Sequence, residues 1–161
     1  MTAKNYLMKL KNKLIEKETS SNDLSKYDEY LSKASEIGKI IVNKCLAQDI
    51  YINTQKLQKL LVLVQIECIK DSGFPLFSQN IEYWECGVAI KEVDEEFRQY
   101  ALGFNKYLNE KIVLLYSEMQ YIDNIINQYA SLTPYDLNEL CLLNKDILAP
   151  FASKQKCKIY K

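Results

Sequence analysis

The chain has no histidine among its 161 residues. Histidine is the commonest general base and metal ligand, and it is the usual partner of a nucleophilic serine or cysteine. Only four glycines are present, and neither of the glycine-rich loops that hold nucleotide phosphates occurs, nor the G-x-S-x-G turn of hydrolases. We therefore expect no enzyme, no cofactor and no metal site.

The chain also has no net charge, because 21 basic side chains balance 21 acidic ones. Without a global field to attract a polyanion, direct binding of nucleic acid is not expected. A near-neutral surface gives little repulsion between copies, so self-association stays open. No apolar run approaches the roughly 18 residues of a membrane span, which predicts a soluble chain without a membrane partner.

The five cysteines show no C-x-x-C pairing, and close ligand pairs are what a zinc site usually needs. Their odd number and the lack of a signal peptide favour reduced thiols in the cytoplasm. Cys45, Cys68 and Cys141 fall within apolar helical patterns and are interpreted as buried. Cys86 precedes Gly87 in a turn-like setting, where a thiol can become reactive, but no recognisable base accompanies it.

The composition, 48% hydrophobic and 26% charged, is typical of a globular domain. Apolar positions recur mostly at helical spacing, which predicts a mainly α, compact single-domain helical bundle. At most a small β element is expected, near residues 80–84 and 111–116. Three regions are predicted along the chain: an N-terminal amphipathic helix and linker (1–26), a helical domain (27–151) and a basic C-terminal tail (152–161).

Within the domain, a helix is predicted from Tyr27 to Ala47, with Gly38 kept for close packing against another helix. The next helix is the most apolar, with a cap at Asn53 or Thr54 and an end at Gly73. Its stripe of Leu57, Leu60, Leu61 and Val64 is assigned to the core. Further helices are expected over residues 91–102, 121–129 and 133–143, the first burying Val93, Phe97 and Leu102 and the last opened by a Thr133-Pro134 cap.

The order of parts between Tyr51 and Phe97 carries a family resemblance. YINTQKLQKLLVLVQ is followed by GFPLF and then by IEYWECGVAIKEVDEEF. This order resembles the Panacea domain, the SocA-like, phage-associated antitoxin family, over about residues 34–151. The family usually has Gly-Pro-Val where this chain has Gly87-Val88-Ala89, and a valine in place of proline restores a backbone N–H that needs a partner.

The resemblance implies a protein-binding module that neutralises a toxin by direct stoichiometric binding in a bacterial cytoplasm, or in the host cytoplasm if phage-encoded. The candidate binding surface combines aromatic residues of the turn with the acidic start of the next helix, since aromatic anchors ringed by charge are typical of protein interfaces. Its residues are Tyr83, Trp84, Glu85, Cys86, Glu92, Glu95 and Glu96. Trp84 also has a competing interpretation as a core residue.

Two alternatives remain at this point. The same scaffold could serve a phage or mobile element as an inhibitor of a host defence effector such as a nuclease, with acidic segments imitating a nucleic-acid backbone. The second alternative is an enzyme that uses carboxylates or Cys86. Acids in the first turn of a helix usually complement its dipole and stay solvated, which disfavours that interpretation.

Overall fold

A computed structural model of the protein describes residues 31–152. The predicted N-terminal helix and linker, the start of the helix predicted from Tyr27, and the basic tail after Ala152 lie outside these residues. In the described part, six α-helices and two short strands follow one another: α1 (Ala34–Ala47), α2 (Thr54–Ser72), β1 (Glu82–Trp84), β2 (Gly87–Ala89), α3 (Lys91–Phe97), α4 (Tyr116–Tyr129), α5 (Pro134–Leu142) and α6 (Lys145–Leu148). The prediction of a mainly α domain is confirmed.

Helix α2 occupies the centre of this domain, because its side chains are buried on nearly every side from Lys56 to Ile66. It packs against every other described helix and against β2. The Asn53 side chain caps its start by accepting from the Lys56 N–H at 2.9 Å. Gly73 ends it in the left-handed conformation, with φ of 78°. Both ends were predicted from the sequence, and so was the buried stripe.

Helix α1 lies against α2 with the apolar face that the sequence predicted. A Cβ built on Gly38 would lie 3.5 Å from Leu61 Cδ1 and 3.6 Å from Leu57 Cδ1. These are ordinary van der Waals distances, so the space between the two helices would accept an alanine, and the close packing predicted for Gly38 does not require glycine there. Ala34, Ile37, Ile41 and Cys45 complete the buried face of α1.

The helix predicted over residues 91–102 is shorter in the structure. Val93 and Phe97 are buried as predicted, but α3 ends at Phe97 and a single 3₁₀ turn follows. The Thr54 hydroxyl donates to the Phe97 carbonyl at 2.6 Å and so engages an acceptor that a continuing helix would use. Leu102 is 93% exposed, and its assignment to the core was wrong.

Two further boundaries differ from the sequence interpretation. Gly87 begins strand β2, which pairs antiparallel with β1, so the turn-like setting predicted for Cys86 is the tip of a hairpin. The second β element predicted near residues 111–116 is not present in the described part of the chain. Helix α4 begins already at Tyr116, because the Glu118 side chain accepts from the Leu115 N–H at 3.1 Å and caps the helix.

Candidate protein-binding surface

The outer edge of β2 is covered by side chains instead of by a third strand. The Val88 N–H donates to Asn138 Oδ1 at 2.9 Å, and the Val88 carbonyl accepts from Lys59 Nζ at 3.0 Å. Two residues on, the Ile90 N–H donates to Gln58 Oε1 at 2.9 Å and the Ile90 carbonyl accepts from Gln58 Nε2 at 3.0 Å. The N–H restored by Val88 thus has its partner, and the hairpin is fastened to α2 and α5.

Lys59 is a fully buried cation of the central helix, with 1% of its surface exposed. Burial lowers the pKa of its ammonium group, while the neighbouring thiols of Cys86 and Cys141 act in the opposite direction. On the same side, the Cys141 thiol donates to the Lys59 carbonyl at 3.6 Å, and burial raises the pKa of Cys141 to about 12. A thiol with so high a pKa is unreactive at neutral pH, which fits the predicted structural role of Cys141.

The tip of the hairpin fits tightly over α5. Gly87 has φ of 113°, and a Cβ built on it would lie 2.4 Å from Asn138 Oδ1. Both the backbone conformation and the close approach therefore require glycine at this position. The tip itself, Glu85 and Cys86, is exposed.

The predicted aromatic residues differ in their accessibility. Trp84 is only 7% exposed, so its ring contributes little to the surface. Tyr83 is half-buried, and Lys145 Nζ lies 5.5 Å from the centroid of its ring. Burial raises the pKa of the Tyr83 hydroxyl. Tyr83 and Glu85 are therefore accessible residues of the predicted surface on the hairpin.

The acidic half of the predicted surface lies on α3, which turns Val93 and Phe97 inward. Glu92, Glu95 and Glu96 are exposed on the opposite side. Glu96 contacts Lys39 of α1 at 3.4 Å, and Glu95 lies 3.9 Å from Lys91. Burial lowers the pKa of Lys39, but Glu36 and Glu96 outweigh it and the pKa is raised overall.

These two halves of the predicted surface rest on different neighbours. The hairpin packs on α2 and α5, whereas α3 packs on α1 and α2. The segment from Gly87 to Ile90 joins them and is held by Gln58, Lys59 and Asn138. Sequence reasoning did not identify these three residues. Their one sequence signal is that Gln58 and Lys59 lie between Leu57 and Leu60 of the buried stripe.

A shallow groove of about 320 Å³ lies elsewhere on the domain, between α2 and α4. The Tyr121 hydroxyl donates to Asp71 Oδ2 at its edge. Two carboxylates, those of Glu67 and Asp71, face it. Residues 31–152 contain no cluster of side chains that could hold a metal ion. None of the helices in this described part is both long and apolar enough to cross a membrane.

The fold and the fastened hairpin define a small helical domain built around a central helix that buries several polar side chains, among them Gln58, Lys59 and Gln65. Residues 57–145, more than half of the chain, match the family described as antitoxin SocA-like, Panacea domain. The chain therefore belongs to the SocA-like Panacea family. No curated protein and no solved structure matches the chain. Membership supports an antitoxin-type role and implies a protein partner such as a toxin.

Proposed function

We propose that this protein is a cytoplasmic antitoxin that neutralises a toxin by direct stoichiometric binding, without catalytic turnover. Family membership over residues 57–145 is the observation that carries the proposal. The burial of the family-like helix agrees with the proposal, because Leu57, Leu60 and Leu61 have no exposed surface and form the core of the scaffold. Specificity then resides in the exposed residues that the scaffold holds in place.

The toxin contacts the surface formed by Tyr83, Glu85, Glu92, Glu95 and Glu96 in this proposal, and Trp84 supports it from below. Three exposed acids on a short helix provide a negative face, which accelerates association with a basic partner. The hairpin tip is held against Asn138, so its exposed residues are pre-organised for contact. Arrangements of this kind place charge around a small number of aromatic anchors.

Co-expression with candidate toxins tests the proposal. Growth should be restored in cells that express the toxin, and titration of the toxin into purified protein should reach its end point at a one-to-one ratio. Inhibition of the toxin at far less than one equivalent, increasing with incubation time, would reveal an enzyme instead.

One observation favours inhibition of a defence nuclease as a second candidate. Acidic side chains outnumber basic ones among residues 31–152, although the whole chain is balanced. A negative domain is suited to the nucleic-acid-binding cleft of a nuclease. Protection of phage from restriction, with no rescue of a toxin encoded nearby, would select this candidate.

A further inference from the structure

The connection between the 3₁₀ turn after α3 and the start of α4 has an unusual backbone. From Tyr107 to Leu115 it contains no helix, strand, turn or bend, and Leu115 at its end has extended dihedral angles, with φ of −62° and ψ of 151°. Asn43 of α1 holds its first part, since Asn43 Oδ1 accepts from the Leu108 N–H at 2.7 Å and Nδ2 donates to the Leu108 carbonyl at 2.8 Å. Its last part is fixed by the bond from the Leu115 N–H to Glu118.

Side chains of residues 111–114 alternate as they do on a strand. Ile112 and Leu114 pack against the core. Lys111 points to solvent, and Val113 is 97% exposed. The period of two places one row of side chains on the domain and leaves the other in water. This part of the connection therefore has the side-chain pattern of a strand, but no strand pairs with it in the described part of the chain.

Main-chain pairing is what the connection lacks. Between Asn109 and Leu114, no backbone N–H or carbonyl forms a hydrogen bond with another residue of the described chain. Successive peptide groups of an extended chain point to opposite edges. Those of Leu108 point to α1, so those of Asn109, Lys111 and Val113 point away from it. An accessible row of this kind is a template for another strand.

We propose that residues 109–113 pair with an extended strand of the protein partner, added along this free edge. The charge around the edge selects the chemistry of that strand. Lys106 and Lys111 are exposed and form no ion pair with any other described residue. Glu110, the acid beside them, is already bonded to Asn43 Nδ2 at 2.7 Å. The partner strand therefore alternates apolar side chains, facing Ile112 and Leu114, with acidic side chains beside Lys111.

This strand site continues the surface proposed for the toxin. Lys39 and Asn43 are one turn apart on α1, and Lys39 contacts Glu96 while Asn43 holds Leu108. The partner can therefore reach both features at once. The inference rests on the proposed function for the identity of the partner, but strand addition itself can be tested without the toxin.

The test uses a heptapeptide of alternating glutamate and valine, with amide hydrogen exchange of the protein followed by NMR. Exchange should slow at Asn109, Lys111 and Val113 and should change little at Ile112 and Leu114, because only one edge is paired. The controls are the same peptide N-methylated at every residue, which cannot donate in either strand orientation, and a lysine-valine peptide. Both should bind at least about tenfold more weakly.

Two variants at position 113 distinguish hydrogen bonding by the main chain from contacts made by the side chain. V113P removes one edge N–H and should weaken binding of the glutamate-valine peptide at least about tenfold, whereas V113T keeps the N–H and should bind within about twofold of the parent. If V113P does not fold, the proposal is still tested on the parent protein by comparing the binding of the unmodified and the N-methylated peptide.

Three results would overturn the inference. The first is exchange that stays unchanged at millimolar peptide, and the second is equal binding of the N-methylated peptide. The third is protection of these amides from exchange that grows with protein concentration in the absence of peptide. This result would assign the edge to a second copy of the chain. Failure to rescue a toxin would leave the peptide result intact, so that the proposed function and the strand site can fail separately.

Discussion

Helices α2 and α3 use their polar residues in opposite ways. In α2, Gln58, Lys59 and Gln65 are buried and bond to backbone groups of neighbouring segments. In α3, the charged side chains of Glu92 and Glu95 face solvent, and among residues 31–152 they bond to nothing beyond their own helix. A polar residue in the family-like segment therefore has a structural role in one helix and is available for recognition in the other.

The difference follows from what each helix must cover. The segments beside α2 include short strands and connections whose backbone groups lack partners of their own, and a buried unpaired group costs free energy comparable to a lost hydrogen bond. Gln65 shows the same arrangement as Gln58: its Oε1 accepts from the Leu76 N–H at 2.7 Å and its Nε2 donates to the Phe77 carbonyl at 2.8 Å. Gln58, Lys59 and Gln65 of α2 thus hold the fold together.

The largest expected effect concerns the apolar stripe of α2. Leu60 has no exposed surface, and Leu60→Ala removes buried methyl groups and leaves a cavity. The free energy of unfolding should fall by about 2–5 kcal/mol. Urea denaturation followed by circular dichroism measures this change. An unaltered unfolding midpoint would show that α2 is peripheral, and the contrast with α3 would then disappear.

A smaller loss is expected from Gln58→Ala, because the N–H and the carbonyl of Ile90 both lose their partner in a buried setting. We expect a loss of about 1–3 kcal/mol. Gln55→Ala is the matched control, since Gln55 lies on the same helix but is exposed, and it should change stability by less than about 0.5 kcal/mol. Equal effects of the two substitutions would contradict the structural role of Gln58.

Much of α2 was predictable from the sequence, because its caps and its apolar stripe are local signals. Asn53 and Gly73 act at the ends of the helix, and Leu57 to Val64 repeat at helical spacing. The bonds of Gln58 and Gln65 were not predictable, because their partners are backbone groups 11 to 32 positions away in the chain. Periodicity assigns a polar residue to the surface and contains no information on where a distant backbone passes.

The candidate surface shows the same limit. The sequence placed Glu92, Glu95 and Glu96 on one helix correctly, since Val93 and Phe97 define the buried side. It could not show that Glu96 contacts Lys39, because this pair joins two helices that are distant in sequence. The burial of Trp84 was left open for the same reason, since it depends on packing and not on local pattern.

Lys59→Met sharpens the comparison through the pH dependence of stability. Burial lowers the pKa of Lys59 in the folded protein below its ordinary value of 10.5, so the unfolded chain binds the proton more tightly. The parent should therefore gain stability relative to the variant as the pH rises from the lowered folded pKa towards 10.5. At neutral pH the two should lie within about 1–2 kcal/mol, because the variant avoids burying the amine but leaves the Val88 carbonyl without its donor.

Urea midpoints of the parent and of Lys59→Met between pH 7 and 10 measure this difference. Cys45 and Cys141 have raised pKa values, about 11 and 12, so both proteins should lose stability at alkaline pH as the thiols of the unfolded chain ionise. Both proteins contain these thiols, but Lys59 lowers the pKa of Cys141, so the difference between the two proteins reports Lys59 together with its effect on that thiol. A pH-independent difference would show that this amine does not change its affinity for protons on folding.

The smallest effect on stability is expected at the exposed acids of α3, where the effect on binding of the toxin should be greatest. Reversing Glu92, Glu95 and Glu96 to lysine changes exposed charges, and each exposed ion pair contributes at most about 1 kcal/mol. The Glu96 position should account for most of any loss, since a lysine there faces Lys39. Association with the toxin should slow, and the difference from the parent should shrink as salt is added, because screening removes long-range attraction.

Net charge alone could produce the same slowing, and a second triple variant separates this cause from a local contact. Asp136, Glu139 and Asp146 are exposed on α5 and α6, and their reversal changes the net charge of the protein by the same amount. Stopped-flow association at low and high salt should show a marked decrease for the α3 variant and a smaller one for the α5–α6 variant. If both variants slow equally, the negative domain steers the partner as a whole. If neither does, α3 is not the contact face, and the partner binds through surfaces that the three acids do not influence.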